Sequence, residues 1–282
     1  MGFVNGLGPR FGGAFSFFGS ILVCMHPLTK HSGIALGALA ILGLVIWYMA
    51  TNPAPRHTPP DVATTTPSGE ERAYIRDAGT YYSIEAAYPT RTPLPNEGAV
   101  QAIKAYEIQV IAEFQTQVAD NQTFIDKLVA AGEDVPASMQ NLQLSIDYST
   151  KSGAQTLTYI LNVASYTGGA HGLEQPVTFT FDTVTGAKLA IGDLFLPDTE
   201  YLARLSSIAR TDLPSIQGEY AYSDFITDGT EPLADNFSRF YLEGDTLYLL
   251  FPPYQVAPYV AGTVTLPVKL SRIAAILKPE YR

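Results

Sequence analysis

The chain has 282 residues, 46% apolar, 16% charged and 11% aromatic, enough for one or two globular domains with a real core. No heptad or collagen-type period runs through it, which excludes coiled-coil, fibrous and wholly disordered classes. All 27 acids and 15 of the 17 bases lie beyond residue 50, giving that part a net charge of −12. Such a surface repels phosphate backbones, so no nucleic-acid partner is expected.

The N-terminal part reads as a membrane anchor. Residues 33–50, GIALGALAILGLVIWYMA, are 18 residues without a charge. As an α-helix they cover ~27 Å, close to the ~30 Å of a bilayer core. Trp47 and Tyr48 fall at the edge, where amphipathic rings favour the interface. The rival reading is a cleaved signal peptide, for which Tyr48 at the −3 position makes a poor small-x-small site. Of the preceding segment, 1–32, residues 1–24 are rich in Gly and Phe, and Met25 begins a more ordinary start, so 1–24 read as a mis-annotated beginning. The alternative is a helical hairpin, which would leave the C-terminal part in the cytoplasm. Val23 ahead of Cys24 spoils a lipobox. Lys30 before the span, against Arg56 alone in the stretch after it, places the N-terminus in the cytoplasm. Residues 51–75 open with a run of prolines and threonines that builds no core, and they read as a solvated stalk holding an extracytoplasmic domain off the membrane.

Cysteine and histidine limit the chemistry. Cys24 is the sole cysteine, and of His26, His31, His57 and His171 only the last lies where the chain reads as folded. Disulfides, thiolate metal sites and multi-histidine zinc sites are therefore excluded there, and neither metal nor cofactor is expected.

The folded part predicts an α+β fold. YYSIEAAYP, from Tyr81, alternates and ends at a proline, as a strand does. Asn96 then caps a helix on which Val100, Ile103, Ile111, Phe114 and Val118 recur at helical spacing, with Gly132 as C-cap. Strands follow at 142–149 and 156–166, joined by TKSGAQ, and at 177–182 and 188–195, joined by TVTGA with Gly186 supplying a positive φ. Asp198 caps a second helix through Leu202, Leu205, Ile208 and Leu213, stopped by Pro214. Residues 239–251 form a hairpin turning at Glu243–Asp245, residues 262–270 a last strand, and SRIAAIL a short closing helix. The expectation is antiparallel sheets with segregated helices, in two closely packed subdomains at 76–150 and 151–282, after one N-terminal transmembrane helix. No G-x-G-x-x-G or Walker A motif occurs, which disfavours a nucleotide-binding fold.

Three stretches in order carry a resemblance: YTGGAHG (166–172), FTFDTVTGAKLAIGDLF (179–195), and FYLEGDTLYLLFPPYQVAPYVAG (240–262) ahead of the final strand. Over residues 76–278 the chain resembles the RsiV-like C-terminal domain together with its usual companion domain of unknown function. That domain is the outer part of lysozyme-sensing anti-sigma factors and is also found appended to a polysaccharide deacetylase. The resemblance implies an anchored outer-surface protein. The deacetylase chemistry belongs to a separate domain with metal-binding Asp and His residues, and the sigma-factor contact to a polar cytoplasmic segment. Neither is legible here.

Two loops carry the candidate site. In GGAHG, glycines flank His171 and allow a tight loop, so His171 reads either as a general base or ligand contact, or as a ring satisfied within the loop. In FPPYQVAPYVAG, prolines fix Tyr254 and Tyr259, which either stack on a sugar face or pack at a corner of the sheet. The expected ligand-binding set is Tyr166, Gly168, Gly169, His171, Tyr254 and Tyr259, with no catalytic residue assigned. No G-x-S-x-G elbow stands beside His171. Three functions remain open: a tethered module binding cell-wall glycan or a wall-active protein such as lysozyme, an envelope hydrolase using His171 and a carboxylate, and a structural envelope protein without a small ligand. The first accounts best for the scarcity of catalytic groups.

Overall fold

The computed structural model describes residues 72–282. The expected span at 33–50, the segment before it and nearly all of the stalk lie outside the described residues. Among the described residues no helix is long and apolar enough to cross a membrane.

The first strand, β1 (Arg72–Ala78), starts inside the range expected for the stalk and pairs antiparallel with β2 (Tyr82–Pro89). The long helix α1 (Gly98–Ala131) follows, then the hairpin β3 (Leu142–Ser152) and β4 (Thr156–Tyr166), then β5 (Leu173–Asp182) and the two-residue β6 (Lys188–Leu189). Their order in the sheet is their order in the chain. Every pair is antiparallel except β2–β3, which is parallel because α1 carries the chain back across the sheet before β3 begins. The fold is α+β with mainly antiparallel sheets, and this parallel pair corrects the fully antiparallel expectation.

Helix α1 starts as its sequence requires. The Asn96 side-chain oxygen accepts the Gly98 N–H at 2.9 Å, although Glu97 takes the cap position, and Gly132 at φ 73° ends the helix. Ile103, Ile111 and Phe114 face the sheet and join Ile84, Leu144, Ile146, Tyr159, Leu161 and Phe181 in one core. In the turn after β5, Gly186 has φ 70° and lies against Asn96, so a side chain there would meet the Asn96 amide.

A second core begins at Ile191. It is built on the sheet β7 (Phe240–Glu243), β8 (Thr246–Phe251) and β9 (Val264–Lys269), against which α2 (Tyr201–Gln217) packs; the short helix α3 (Ser223–Gly229) lies beyond it. The β7–β8 turn is tight, with Glu243 opposite Thr246 and Gly244 at φ 56°. The two cores divide the chain between Phe181 and Ile191, whereas position 150 lies inside β3.

Three local expectations are corrected. Of the strand expected at 188–195, only Lys188–Leu189 pairs within the sheet, Phe195 forms a lone bridge to Leu277, and Ile191–Leu194 is a 3-10 turn. The Asp193 carboxylate accepts the Ala190 N–H at 2.8 Å, and Ile191 and Leu194, three apart, are both buried on one side. Pro214 does not stop α2, which runs one turn further to Gly218; Asp198 sits at φ 58° before the helix and Glu200 takes the cap position. Residues 271–277 are no α-helix: a 3-10 turn at Leu270–Arg272 leads into turns about Ile273, because this segment pairs with 194–196 through Leu196 N–H to Ile276 O and Lys278 N–H to Leu194 O.

The cores meet where the open edge of β7 runs over the face of β5. Thr178 Oγ1 accepts the Phe240 N–H at 3.1 Å, and the Thr180 hydroxyl donates to Phe240 O at 3.1 Å. Thr158, 3.0 Å from Thr180, completes the row, and both threonines are buried. Replacing Thr180 by Val leaves the Phe240 carbonyl without its donor, and we expect a loss of about 1–3 kcal/mol in denaturant unfolding.

Glu107 stands apart from this order. It lies one turn from both Ile103 and Ile111, fully buried, and neither carboxylate oxygen has a hydrogen-bond partner among the described residues. Burial alone pushes its pKa up to about 8. The folded pKa exceeds the unfolded one, so the stability this group contributes is fully present below ~4.5 and is lost as pH rises through about 8. We expect thermal unfolding of Glu107→Leu to lack this slope and to gain roughly 2–4 kcal/mol over the natural chain above pH 8.

Candidate functional site

The loop after β4 and the loop after β8 meet. Tyr166 ends β4, and its hydroxyl donates to Gly169 O at 3.0 Å, folding the loop back on itself. Gly168 and Gly169 take φ 91° and 119°, values that side chains disfavour, which is why two glycines stand here. His171 is exposed at the loop's end. Its Nδ1 lies 2.9 Å from Gly172 O. A carbonyl only accepts, so Nδ1 carries the proton, and Nε2 is an acceptor when the ring is neutral.

Tyr259 reaches the same carbonyl from the other loop, its hydroxyl donating to Gly172 O at 2.7 Å. The two rings stack, with centroids 4.0 Å apart and planes 22° from parallel. Tyr254 extends the row at 5.6 Å and 32° from Tyr259. His171, Tyr259 and Tyr254 thus form one aromatic ridge, built from both halves of the chain. Tyr166, Gly168 and Gly169 are not part of the ridge; they shape the loop that presents His171.

The second loop is held from beneath. Gln255 N–H bonds Pro252 O at 3.1 Å, closing a turn with Pro253 first and Tyr254 second of its central residues. Tyr254 has φ 72° there, the position of a type II turn that glycine normally fills. The residue is 52% exposed, so packing does not explain it. The Gln255 amide donates to Gly229 O and Asn236 O, both at 2.9 Å, and the Gln217 amide to Val256 O at 3.0 Å. Val256 and Ala257 are buried beneath the ridge. Gln217 and Gln255 are supporting residues that sequence reasoning missed, since a glutamine bonding main-chain carbonyls far along the chain leaves no local signature.

The stretch that Gln255 grips is acidic: Glu219, Asp224, Asp228, Glu231 and Asp235 occur with no base among them. His171 bonds a main-chain carbonyl rather than a carboxylate. Among the described residues no group of three or more His, Cys, Asp or Glu side chains converges as a metal site would require. The ridge offers aromatic faces, one tyrosine hydroxyl already engaged, and one imidazole nitrogen able to accept a hydrogen bond.

Residues 192–271, the bulk of the second core, match the family described as "Protein of unknown function (DUF3298)". The resemblance read from the sequence holds. Over 212 residues the chain is 31% identical to the peptidoglycan-N-acetylmuramic acid deacetylase PdaC of Bacillus subtilis (strain 168), an alignment covering 75% of this chain and 42% of that protein. The chain therefore spans less than half the length of this relative. Two solved structures share the fold at 18% identity. A DUF3298 family member from Bacteroides fragilis NCTC 9343 has a TM-score of 0.54 over 75% of this chain and 95% of its own. A DUF3298 family protein from Pseudomonas aeruginosa PAO1 has a TM-score of 0.50 over 77% and 97%. Tyr254 and Tyr259 lie inside the DUF3298 match and His171 outside it, so the ridge joins the DUF3298 region to the sheet before it.

The strain at Tyr254 is measurable. Tyr254→Gly removes the side chain from a positive-φ position, and we expect unfolding stability to hold or rise by up to about 1 kcal/mol despite the lost ring. Tyr254→Ala keeps the strain and should be the less stable of the two.

Proposed function

We propose that this chain is a binding module of the cell envelope, tethered by its N-terminal segment and facing outward, whose aromatic ridge engages the wall glycan. Tyr254 carries the reading: an exposed ring held at a backbone conformation that costs stability, in line with two further rings. Aromatic rings of this kind stack on the apolar face of a sugar while a nearby acceptor takes one of its hydroxyls, here at His171 Nε2. The relative named for peptidoglycan-N-acetylmuramic acid supports a wall context. A second reading, docking of a basic wall-active protein such as lysozyme, is favoured by the acidic stretch that Gln255 ties to the ridge.

Co-sedimentation of the full chain with purified insoluble wall tests both. Tyr254→Ala or His171→Ala is expected to weaken retention about fivefold, the equivalent of about 1 kcal/mol for one stacked ring. Retention should be nearly insensitive to salt if the wall glycan is bound, whereas capture of lysozyme should fall steeply with salt. Sugars or acetate released by the chain, and lost on substituting one carboxylate, would point instead to a hydrolase. Retention unchanged in both ridge variants would sink the proposal.

A further inference from the structure

The outer face of the first sheet, opposite α1, is covered only in part. Leu144, Ile146 and Val163 point into the first core, so Gln143, Ser145, Asn162 and Tyr166 share the opposite face. The edge of β7 covers this face at Thr158, Thr178 and Thr180 and leaves the other end open. Register aligns the open end in two cross-strand rows. Ala78, Ser83, Gln143 and Tyr166 lie opposite one another, and so do Arg76, Glu85, Ser145, Ala164 and Glu174. The second row crosses five strands, and at ~4.8 Å per spacing it is ~19 Å long. Between β1 and β3 the face dips into a shallow depression of about 420 Å³, floored by Ser83, Gln143 and Ser145.

The polar groups of this face are tied to one another. Arg76 pairs with Glu85 at 3.0 Å, Arg72 with Asp147 at 2.5 Å, and the Asn162 amide donates to Glu174. Both arginines are thus matched by carboxylates, and Glu174, held only by a neutral amide, disfavours an anionic ligand. Fixed amides and carboxylates on a flat surface do suit a ligand with many hydroxyls and no net charge. The small side chains of Ser83, Ser145 and Ala164 keep the middle low. Tyr166 stands where the face runs into the loop that carries His171.

We infer that this open face is a track for an extended, uncharged polysaccharide strand, continuing from the aromatic ridge across β4, β3 and β2. The inference rests on the reading of the ridge as wall-binding and adds that several successive sugars are held, with Gln143, Asn162 and Glu174 bonding their hydroxyls and Tyr166 stacking at the junction. A chain that occupies a track binds more tightly as it lengthens, until the track is full.

The test uses the full chain with short and long β-1,4-linked N-acetylglucosamine oligomers, beside retention on purified wall. Affinity is expected to rise at least about tenfold from the dimer to oligomers longer than the track. The Gln143→Ala, Asn162→Ala double variant should lose that gain, binding long oligomers no better than the dimer, while Tyr254→Ala weakens short and long alike. Both altered positions are exposed, and an unchanged unfolding transition shows that the fold is kept. Length-independent affinity, or a double variant that binds like the natural chain, overturns the track; the ridge still stands if Tyr254→Ala lowers wall retention. Binding of the free stem peptide in place of the sugars also overturns it. Loss of wall retention in none of the variants removes the ridge reading as well.

Discussion

A strand edge buried without partners is costly, and the three-stranded sheet presents one at β7. The chain meets that cost with side chains instead of a further strand: Thr178 and Thr180 of β5 bond the Phe240 amide and carbonyl, and Thr158 backs Thr180. Side-chain hydroxyls have a fixed reach, so this contact sets one register between the halves. The consequence lies at the other end of β5. With Thr178 and Thr180 locked to Phe240, the start of β5 at Leu173 is carried to where β8 ends at Phe251. The loops preceding β5 and following β8 are thereby brought side by side, and His171 falls onto Tyr259. The ridge follows from the junction. Arg239 to Pro176 O at 3.1 Å, Lys151 to Glu243 at 2.9 Å and Tyr281 to Asp182 at 3.2 Å reinforce the same alignment.

What the sequence declared depended on how local the cause was. LQLSIDYS alternates, and its even positions Leu142, Leu144, Ile146 and Tyr148 are the buried ones. The helical spacing of Ile103, Ile111 and Phe114 and the glycines at 132, 186 and 244 likewise act within a few residues. Errors arose where a distant partner decides. The segments 188–195 and 271–277 give up strand and helix because they pair with each other, which no window on either reveals. The parallel pairing of β2 with β3 depends on how α1 crosses the sheet. Pro214 misled because α2 needed only one more turn beyond it. Glu107 was legible and was missed: it lies four residues from Ile103 and four from Ile111, on the stripe that helical spacing assigns to the core.

For the site, residue types were legible and roles were not. A histidine among glycines and tyrosines among prolines mark two rigid loops, but nothing in either says that they touch. Their meeting requires the junction at Phe240. The Gly172 carbonyl then receives both the His171 Nδ1–H and the Tyr259 hydroxyl, so one main-chain acceptor aligns two rings contributed by separate halves. The region matched to DUF3298, cut out at residue 192, would keep Tyr254 and Tyr259 but lose the ring that stacks on Tyr259.

Tyr254 shows how local conflict can be informative. A type II turn at Pro252–Gln255 accommodates glycine at its third position without strain, and a tyrosine there costs on the order of 1 kcal/mol or more. The side chain does not recover that cost through burial, since the residue is half exposed while its neighbours Val256 and Ala257 are the buried ones. Selection for stability alone would favour glycine. Two glutamines hold the turn in place, Gln255 through Gly229 O and Asn236 O and Gln217 through Val256 O, so the strained conformation is imposed by the surroundings. A costly residue, imposed by hydrogen bonds from its surroundings and ending in an exposed aromatic face beside two others, is what the proposed binding role requires, since that role recovers the energy outside the chain.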